Sequence, residues 1–305
     1  AVDLATALWL QGEALNRLNR VTEAVPVLDE GLAIAREGAS DKKVYGDLLI
    51  ARAGAARSAG NYALALAGYQ EAQKLFATLK EERSFFFNLT ATTEIYTDAH
   101  DYAKALEYYQ RAEAAFTGDP AINLARLNNI AHAQRQLGKL QEAEVGLQQA
   151  LAIAVEMKSL SLQTRILANL AAVQLAAGRF DQADRTARDG LALSANGTPL
   201  GWERFLSGVR AQVAFARGDD ARAAELIDRT FRGQDIEQTP MPYREFHESA
   251  QAIFSALGQN DLALRHLRAF KRLDDYARDV SAAANTALMV AQFDFAGQEL
   301  SIAKL

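Results

Sequence analysis

One alanine recurs at a nearly constant interval along almost the whole 305-residue chain, and this interval constrains the fold more than any other feature. Five residues before each alanine stands Gly, Asn or His, residue types that tolerate the left-handed backbone found where helices end. The alanines are separated by 41, 40, 38, 40, 40 and 40 residues and are Ala24, Ala65, Ala105, Ala143, Ala183, Ala223 and Ala263. The matching stop positions are Asn19, Gly60, His100, Gly138, Gly178, Gly218 and Gly258. A fixed period in this range predicts an architecture of stacked repeats.

The composition agrees with helix throughout and excludes several classes of function. The chain is rich in Ala and Leu and has 5 prolines, which favours helix. No run approaches the roughly eighteen apolar residues of a membrane span. The net charge of −5, with Lys and Arg scattered among acidic residues, argues against nucleic-acid binding. The absence of cysteine excludes disulfides and thiol chemistry.

The interval divides the chain into seven predicted helix-turn-helix units and a last helix. Small residues recur twelve positions before and seven after the repeat alanine, where two helices must approach closely; Gly12 and Gly31 flank Ala24 in this way. We predict one repeat array over residues 1–278, with units at about 4–37, 43–80, 84–116, 120–157, 161–195, 200–232 and 243–278. The last helix is predicted at 279–305.

This pattern resembles the tetratricopeptide repeat (TPR) family, whose signature alternates aromatic or large apolar residues with Gly or Ala around the turn. The residues that carry the resemblance are Tyr62, Ala65, Tyr69 and Ala72 in unit two, Tyr102, Ala105, Tyr109 and Ala112 in unit three, and Leu167, Ala171, Phe180 and Ala183 in unit five. The resemblance covers about residues 4–278. It implies an all-α, right-handed superhelical solenoid of about seven TPR-like repeats plus a C-terminal capping helix.

Two departures from the family pattern are visible. The period near 40 exceeds the roughly 34 residues usual for the family and looks like its long-repeat branch, found in many signalling scaffolds. Units six and seven fit least well, because Asp220 and Asn260 occupy the aromatic site and Gln251 occupies a small-residue site.

The last helix has apolar residues seven positions apart: Leu288, Phe295 and Ile302, and also Phe293 and Leu300. We expect it to cap the open end of the solenoid. The seven-residue spacing also fits a coiled coil, and so a homodimer through this helix. It resembles the helix that follows TPR arrays in bacterial sensor proteins, before a membrane span and a diguanylate cyclase or histidine kinase module. That likeness implies a sensory input domain with its output module beyond Leu305, and it favours the bacterial periplasm over the cytoplasm.

Patterns for catalysis, metals and cofactors are missing. His247-Glu248 is followed by Gln251, so the second His of a zinc-protease helix is absent. The four histidines lie in separate units or helices, and the glycines recur singly rather than as a phosphate-binding loop. We therefore predict no enzyme activity, metal or cofactor in this segment.

The TPR resemblance implies that the first helix of each unit lines a concave face where a peptide or protein ligand binds. An Asn side chain can hydrogen-bond both the N–H and the C=O of an extended peptide, and Asn129 and Asn169 occupy the repeat position where family members use Asn in this way. Aromatic side chains such as Trp9 and Phe87 would form pockets for apolar groups. The predicted ligand-binding residues are Trp9, Glu13, Asn16, Arg57, Phe87, Glu94, Asn128, Asn129, His132, Arg135, Arg165, Asn169, Phe205 and Gln212.

The carboxylate clamp of chaperone-binding family members is absent. The corresponding sites read Asn128, His132, Asn169, Phe205 and Val209 instead of Lys, Asn, Asn, Lys and Arg. We predict a non-catalytic peptide- or protein-binding scaffold in a larger bacterial signalling protein. The alternatives are a self-association module and a small-molecule sensor.

Overall fold

The chain folds into a succession of helical pairs. The computed structural model describes residues 2–115, 118–194 and 201–302, without the side chains of 115 and 293–302. The α-helices in these ranges are α1 (Val2–Arg17), α2 (Val21–Gly38), α3 (Lys43–Ser58), α4 (Tyr62–Leu79), α5 (Glu82–Asp98), α6 (Tyr102–Ala115), α7 (Pro120–Gln136), α8 (Leu140–Glu156), α9 (Leu160–Ala176), α10 (Phe180–Leu193), α11 (Glu203–Ala216), α12 (Asp220–Phe231), α13 (Arg244–Ala256) and α14 (Asn260–Ile302). Two 3₁₀ turns, Ile236–Gln238 and Met241–Tyr243, join α12 to α13. None of the helices described is both long enough and apolar enough to cross a membrane.

The turns inside the pairs confirm the predicted helix stops. All seven stop positions have positive φ, from 57° at Asn19 to 79° at Gly60. The residue after each stop bonds back into the last helical turn; for example, the N–H of Lys139 donates to the C=O of Gln134 at 2.8 Å. This bond satisfies a carbonyl that the helix end leaves without a partner. The spacing therefore predicts the turn geometry of the whole array.

The repeat alanines and the small residues near them let the paired helices approach closely. Ala143 and Ala183 are fully buried. A Cβ added to Gly12 would lie 2.3 Å from Leu28 Cδ2, and one added to Gly190 would lie 2.9 Å from Leu206 Cδ1. Glycine is therefore required at these helix positions because a larger neighbour fills the space where a side chain would be.

By their internal contacts the helices divide into two compact units. Unit 1 contains α1–α6 and the part of α14 from Asp279 onward. Unit 2 runs from Gly118 to Arg278 and contains α7–α13 with the first part of α14. Within each unit the first helices (α1, α3 and α5; α7, α9, α11 and α13) form a row backed by the second helices.

The last part of the chain differs from expectation in two respects. No separate helix begins at Asp279, because α14 is continuous from Asn260 to Ile302. Within unit 1 its later part packs on the second and third pairs rather than simply capping an open end. Ala284, Ala287 and Leu288 join the buried cluster that contains Tyr96, and Asn285 Nδ2 donates to the C=O of Ala99 at 3.0 Å. The small side chains on this face of α14 permit the close approach.

The same packing buries one residue of the series that predicts a coiled coil. Leu288, the first residue of one seven-residue series, is only 8% exposed because it is buried within unit 1. It is therefore not available to a second copy of the helix in this conformation. The other members of the series, from Phe293 to Ile302, lie where side chains are outside the described part.

Candidate functional site

The row of first helices in unit 2 (α7, α9, α11 and α13) is called its inner row. Three asparagines on the inner row form a chain of amide hydrogen bonds. Asn169 Nδ2 on α9 donates to Asn128 Oδ1 on α7 at 2.6 Å. Asn128 Nδ2 in turn donates to Asn129 Oδ1 at 3.2 Å. Among the described residues this leaves Asn129 Nδ2 as a donor and Asn169 Oδ1 as an acceptor without a protein partner. One donor and one acceptor are what the C=O and N–H of a peptide backbone require.

Arg165 lies one helical turn before Asn169 on the same face of α9. Its Nε is buried and has no hydrogen-bond partner. Burial lowers the pKa of Arg165, and no neighbouring carboxylate opposes this effect. Since a partly desolvated guanidinium gains from a bound anion, Arg165 is suited to hold a carboxylate.

Two predicted residues near the C-terminal end of α7, His132 and Arg135, lie close to Glu245 on α13, the last helix of the row. Arg135 Nη2 lies 2.9 Å from Glu245 Oε1 on α13, and Arg135 Nη1 lies 3.4 Å from the other carboxylate oxygen. His132 is exposed on the inner row. Desolvation and the positive charge of Arg135 lower its pKa, while Glu245 acts in the opposite direction. The neutral imidazole is therefore favoured at neutral pH.

The remaining two predicted residues of unit 2 take different positions. Gln212 Nε2 donates to Ser249 Oγ at 2.9 Å, which links α11 to α13 on the inner row. Phe205 packs into an aromatic cluster, with its ring 5.0 Å from Trp202, 5.2 Å from Tyr243 and 5.7 Å from Phe246. Phe205 is thus partly buried within this cluster.

In unit 1 the predicted residues are mostly engaged with one another or with the backbone. Arg57 on α3 bridges two carboxylates of α5, Glu94 at 2.6 Å and Asp98 at 2.8 Å. The surrounding protein raises the pKa of Glu94, and the positive charge of Arg57 opposes that rise. Asn16 Nδ2 donates to the C=O of Ala51 at 2.9 Å, which ties α1 to α3.

The other three predicted residues of unit 1 make ionic or cation–π contacts with nearby basic side chains. Glu13 pairs with Arg17 on its own helix at 2.8 Å. Lys43 Nζ lies 5.7 Å from the centre of the Trp9 ring, and the guanidinium of Arg83 lies 5.5 Å from the exposed Phe87 ring. These contacts cover both aromatic rings with a cation. The amide chain of unit 2 has no counterpart among the predicted residues of unit 1.

Sequence reasoning missed Glu245 and Ser249, which complete the inner row of unit 2. A signal was present, because Glu245 stands eighteen residues before Ala263, just as Arg165 stands eighteen before Ala183. Extending the repeat spacing into the seventh helix-turn-helix repeat would have found both residues. In the residues described, no group of three or more His, Cys, Asp or Glu side chains is arranged to hold a metal ion.

Comparison with known proteins identifies the fold. No protein-family model and no curated protein matches the chain. Among solved structures, a Rap protein complexed with competence and sporulation factor has a TM-score of 0.65 at 14% identity, over 90% of this chain and 75% of that one. A tetratricopeptide repeat protein from Parabacteroides merdae has a TM-score of 0.60 at 16% identity, over 92% of this chain and 99% of that one.

A third similar structure is the Rap conjugation gene regulator of the plasmid pLS20 in complex with the Phr* peptide. Its TM-score is 0.59 at 12% identity, over 92% of this chain and 78% of that one. At these identities the likeness concerns the fold alone. The helical-pair fold of this chain is therefore that of TPR-type proteins.

Proposed function

We propose that this chain is a non-catalytic scaffold that binds an extended peptide, or an extended segment of a protein, on the inner row of unit 2. The observation that carries the proposal is the amide chain formed by Asn169, Asn128 and Asn129. It spans two neighbouring first helices and leaves the amide nitrogen of Asn129 and the amide oxygen of Asn169 for a ligand. These groups suit a peptide backbone without requiring a particular sequence.

Two further facts support a peptide ligand. The Rap regulator of pLS20, similar in fold, was solved with the Phr* peptide, so helical pairs of this kind can accept such a ligand. The inner row of unit 2 is also polar, since its described side chains include four amides and two arginines. Hydrogen bonding to the backbone would supply most of the directional contacts.

Panning a random heptapeptide library on the purified chain tests the proposal. Retained peptides are identified by mass spectrometry and titrated calorimetrically into the wild-type chain and two variants. Asn169→Ala should weaken binding by about fivefold or more, because a buried hydrogen bond contributes roughly 1 kcal/mol. Gln182→Ala removes an exposed amide from α10 of the same pair and should leave affinity unchanged. Retention of no peptide, or equal affinities for all three chains, would contradict the proposal.

We propose further that this scaffold is the sensory part of a larger bacterial signalling protein. The resemblance of the last helix to the linker of bacterial sensors supports this role, as does the fold likeness to Rap regulators. The sequence of the complete gene is the test. A cyclase, kinase or other output module after Leu305 would support the role, and a gene product with no further domain would contradict it.

A further inference from the structure

We propose that Arg165 is the receptor for a carboxylate of the bound peptide, so that the inner row of unit 2 selects ligands with an acidic group at a defined position. This inference rests on the proposed function and adds the chemistry of the ligand. It starts from Arg165, which the amide chain does not use.

The first argument concerns the partners of arginines in unit 2. Arg135 pairs with Glu245, Arg179 with Glu144 and Arg210 with Asp184, each within 2.9 Å. Arg165 is partly buried like these three, but no carboxylate of the described residues pairs with it. Glu245 occupies the equivalent position two pairs later, but it is held by Arg135. Within the described residues the charge of Arg165 is thus left for a bound ligand.

The second argument concerns the donor itself. Nε of Arg165 is shielded from water and makes no hydrogen bond. A buried donor of a charged group without a partner is costly, and an anion that pairs with the rest of the guanidinium offsets part of that cost. A carboxylate matches the outer guanidinium edge, since the two Nη atoms can bond its two oxygens in parallel. Phosphate would also fit the charge, but a peptide carries carboxylates without modification.

The third argument concerns register. Arg165 and Asn169 are four residues apart on one helix, a rise of about 6 Å. An extended peptide advances about 3.3 Å per residue. For a peptide that runs along α9, a carboxylate at Arg165 therefore lies about two residues from the peptide group bonded at Asn169. That spacing is a property a library can reveal.

The carboxylate has two possible sources, an Asp or Glu side chain or the C-terminus of the peptide. Two random heptapeptide libraries of equal composition, one with free C-terminal acids and one with C-terminal amides, separate them. Each is panned on the purified 305-residue chain, and the retained peptides are sequenced. Enrichment of Asp or Glu at one position in both libraries indicates the side chain. Retention confined to the free-acid library indicates the C-terminus.

Variants of Arg165 then link the selection to this residue. Arg165→Gln should weaken the binding of a retained acidic peptide by about 10- to 100-fold, the usual range for a hydrogen bond to a charged group. It should also abolish the acidic enrichment. Arg165→Lys keeps the charge without the planar edge, so it should retain part of the enrichment even if the Gln variant folds poorly. Arg185→Gln, at an exposed site on α10, is the matched control and should behave as wild type.

The outcomes separate this inference from the proposed function. If peptides are retained from both libraries without enrichment of Asp or Glu, or if Arg165→Gln and Arg165→Lys both select the same peptides as wild type, the role of Arg165 is wrong while peptide binding stands. If the wild-type chain retains no peptide from either library, both proposals are wrong. A preference for Asp or Glu, or for the free C-terminal acid, that is lost in Arg165→Gln and kept in Arg185→Gln supports both.

Discussion

Arg135 near the end of α7 and Glu245 at the start of α13 form a two-bond ion pair, although 110 positions separate them along the chain. Two other first helices, α9 and α11, lie between them in the row. The row of unit 2 therefore bends toward its own inner side far enough for its two ends to touch. This curvature brings His132, Arg135 and Glu245 together beside the amide chain.

The titration of His132 should report this ion pair. Arg135→Gln removes a positive charge that lowers the pKa of His132, so that pKa should rise. Glu245→Gln removes a negative charge that raises it, so the pKa should fall. Proton NMR of the imidazole during a pH titration measures both shifts. Arg179→Gln, which breaks a pair with Glu144 elsewhere in unit 2, should cause neither, and shifts of the same sign in both test variants would contradict the arrangement.

Two glycines in helix interiors should respond in opposite ways to the same substitution. Gly208→Ala places a methyl group 2.5 Å from the Phe246 ring, so we expect a loss of about 1–3 kcal/mol in the free energy of unfolding from overpacking. Gly146→Ala meets only a backbone oxygen at 3.8 Å and should gain about 0.5–1 kcal/mol from helix propensity. Urea denaturation followed by circular dichroism gives both values. Equal effects would show that α11 and α13 are packed differently.

The helix stops give a second matched pair. His100 has φ of 60° and Gly138 has φ of 72° at equivalent turns. His100→Gly should stabilise the fold by up to about 1 kcal/mol, because it removes the penalty of a side chain in this conformation. Gly138→Ala introduces that penalty and should cost about 1–2 kcal/mol. Thermal and urea unfolding of the two variants, compared with wild type, provide the measurement; a stabilised Gly138→Ala would be inconsistent with the turn.

A buried histidine pair should make the stability of the protein sensitive to acid. His247 and His266 are 0% and 2% exposed, and their Nδ1 atoms lie 2.8 Å apart. Thr239 Oγ1 lies 2.6 Å from His247 Nε2, which connects the pair to the segment between α12 and α13. Burial lowers the pKa of His247 to about 3, with the charges of His266 and Arg272 adding to the effect. Burial and Arg265 lower the pKa of His266 to about 4.

The sign of the pH dependence follows from these pKa values. Between about pH 6.5 and pH 4 the unfolded chain binds protons that the folded chain excludes, so stability falls as the pH is lowered. We expect a loss on the order of 2 kcal/mol per histidine by pH 5. Urea denaturation across this range measures the slope, which His266→Phe should reduce. His100→Asn, at an exposed site, should leave it unchanged, and a wild-type stability that is flat from pH 7 to pH 4.5 would show that the pair is not buried in neutral form.

Much of the fold could be predicted from the spacing of small residues alone. The interval between repeat alanines predicts the helix stops, and the positive φ at His100 shows that it does so even where the stop is not glycine. It also identifies Asn128, Asn129 and Asn169 as residues of the first helices. A helical period of 3.6 residues determines which face of a helix a residue occupies. The face can therefore be read from the sequence without a three-dimensional structure.

The sequence by itself determined the all-helical repeat, its turns and the buried alanine positions, because these depend on contacts between residues close in the chain. Tertiary structure alone decided that Arg135 meets Glu245, that Asn169 reaches Asn128, and that α14 continues past Asp279 to pack beside Tyr96. Such contacts depend on small rotations between successive helical pairs, which accumulate over many residues. No local pattern encodes the sum of those rotations, and so the partners of Arg135 and Asn169 become visible only when the helices are packed together.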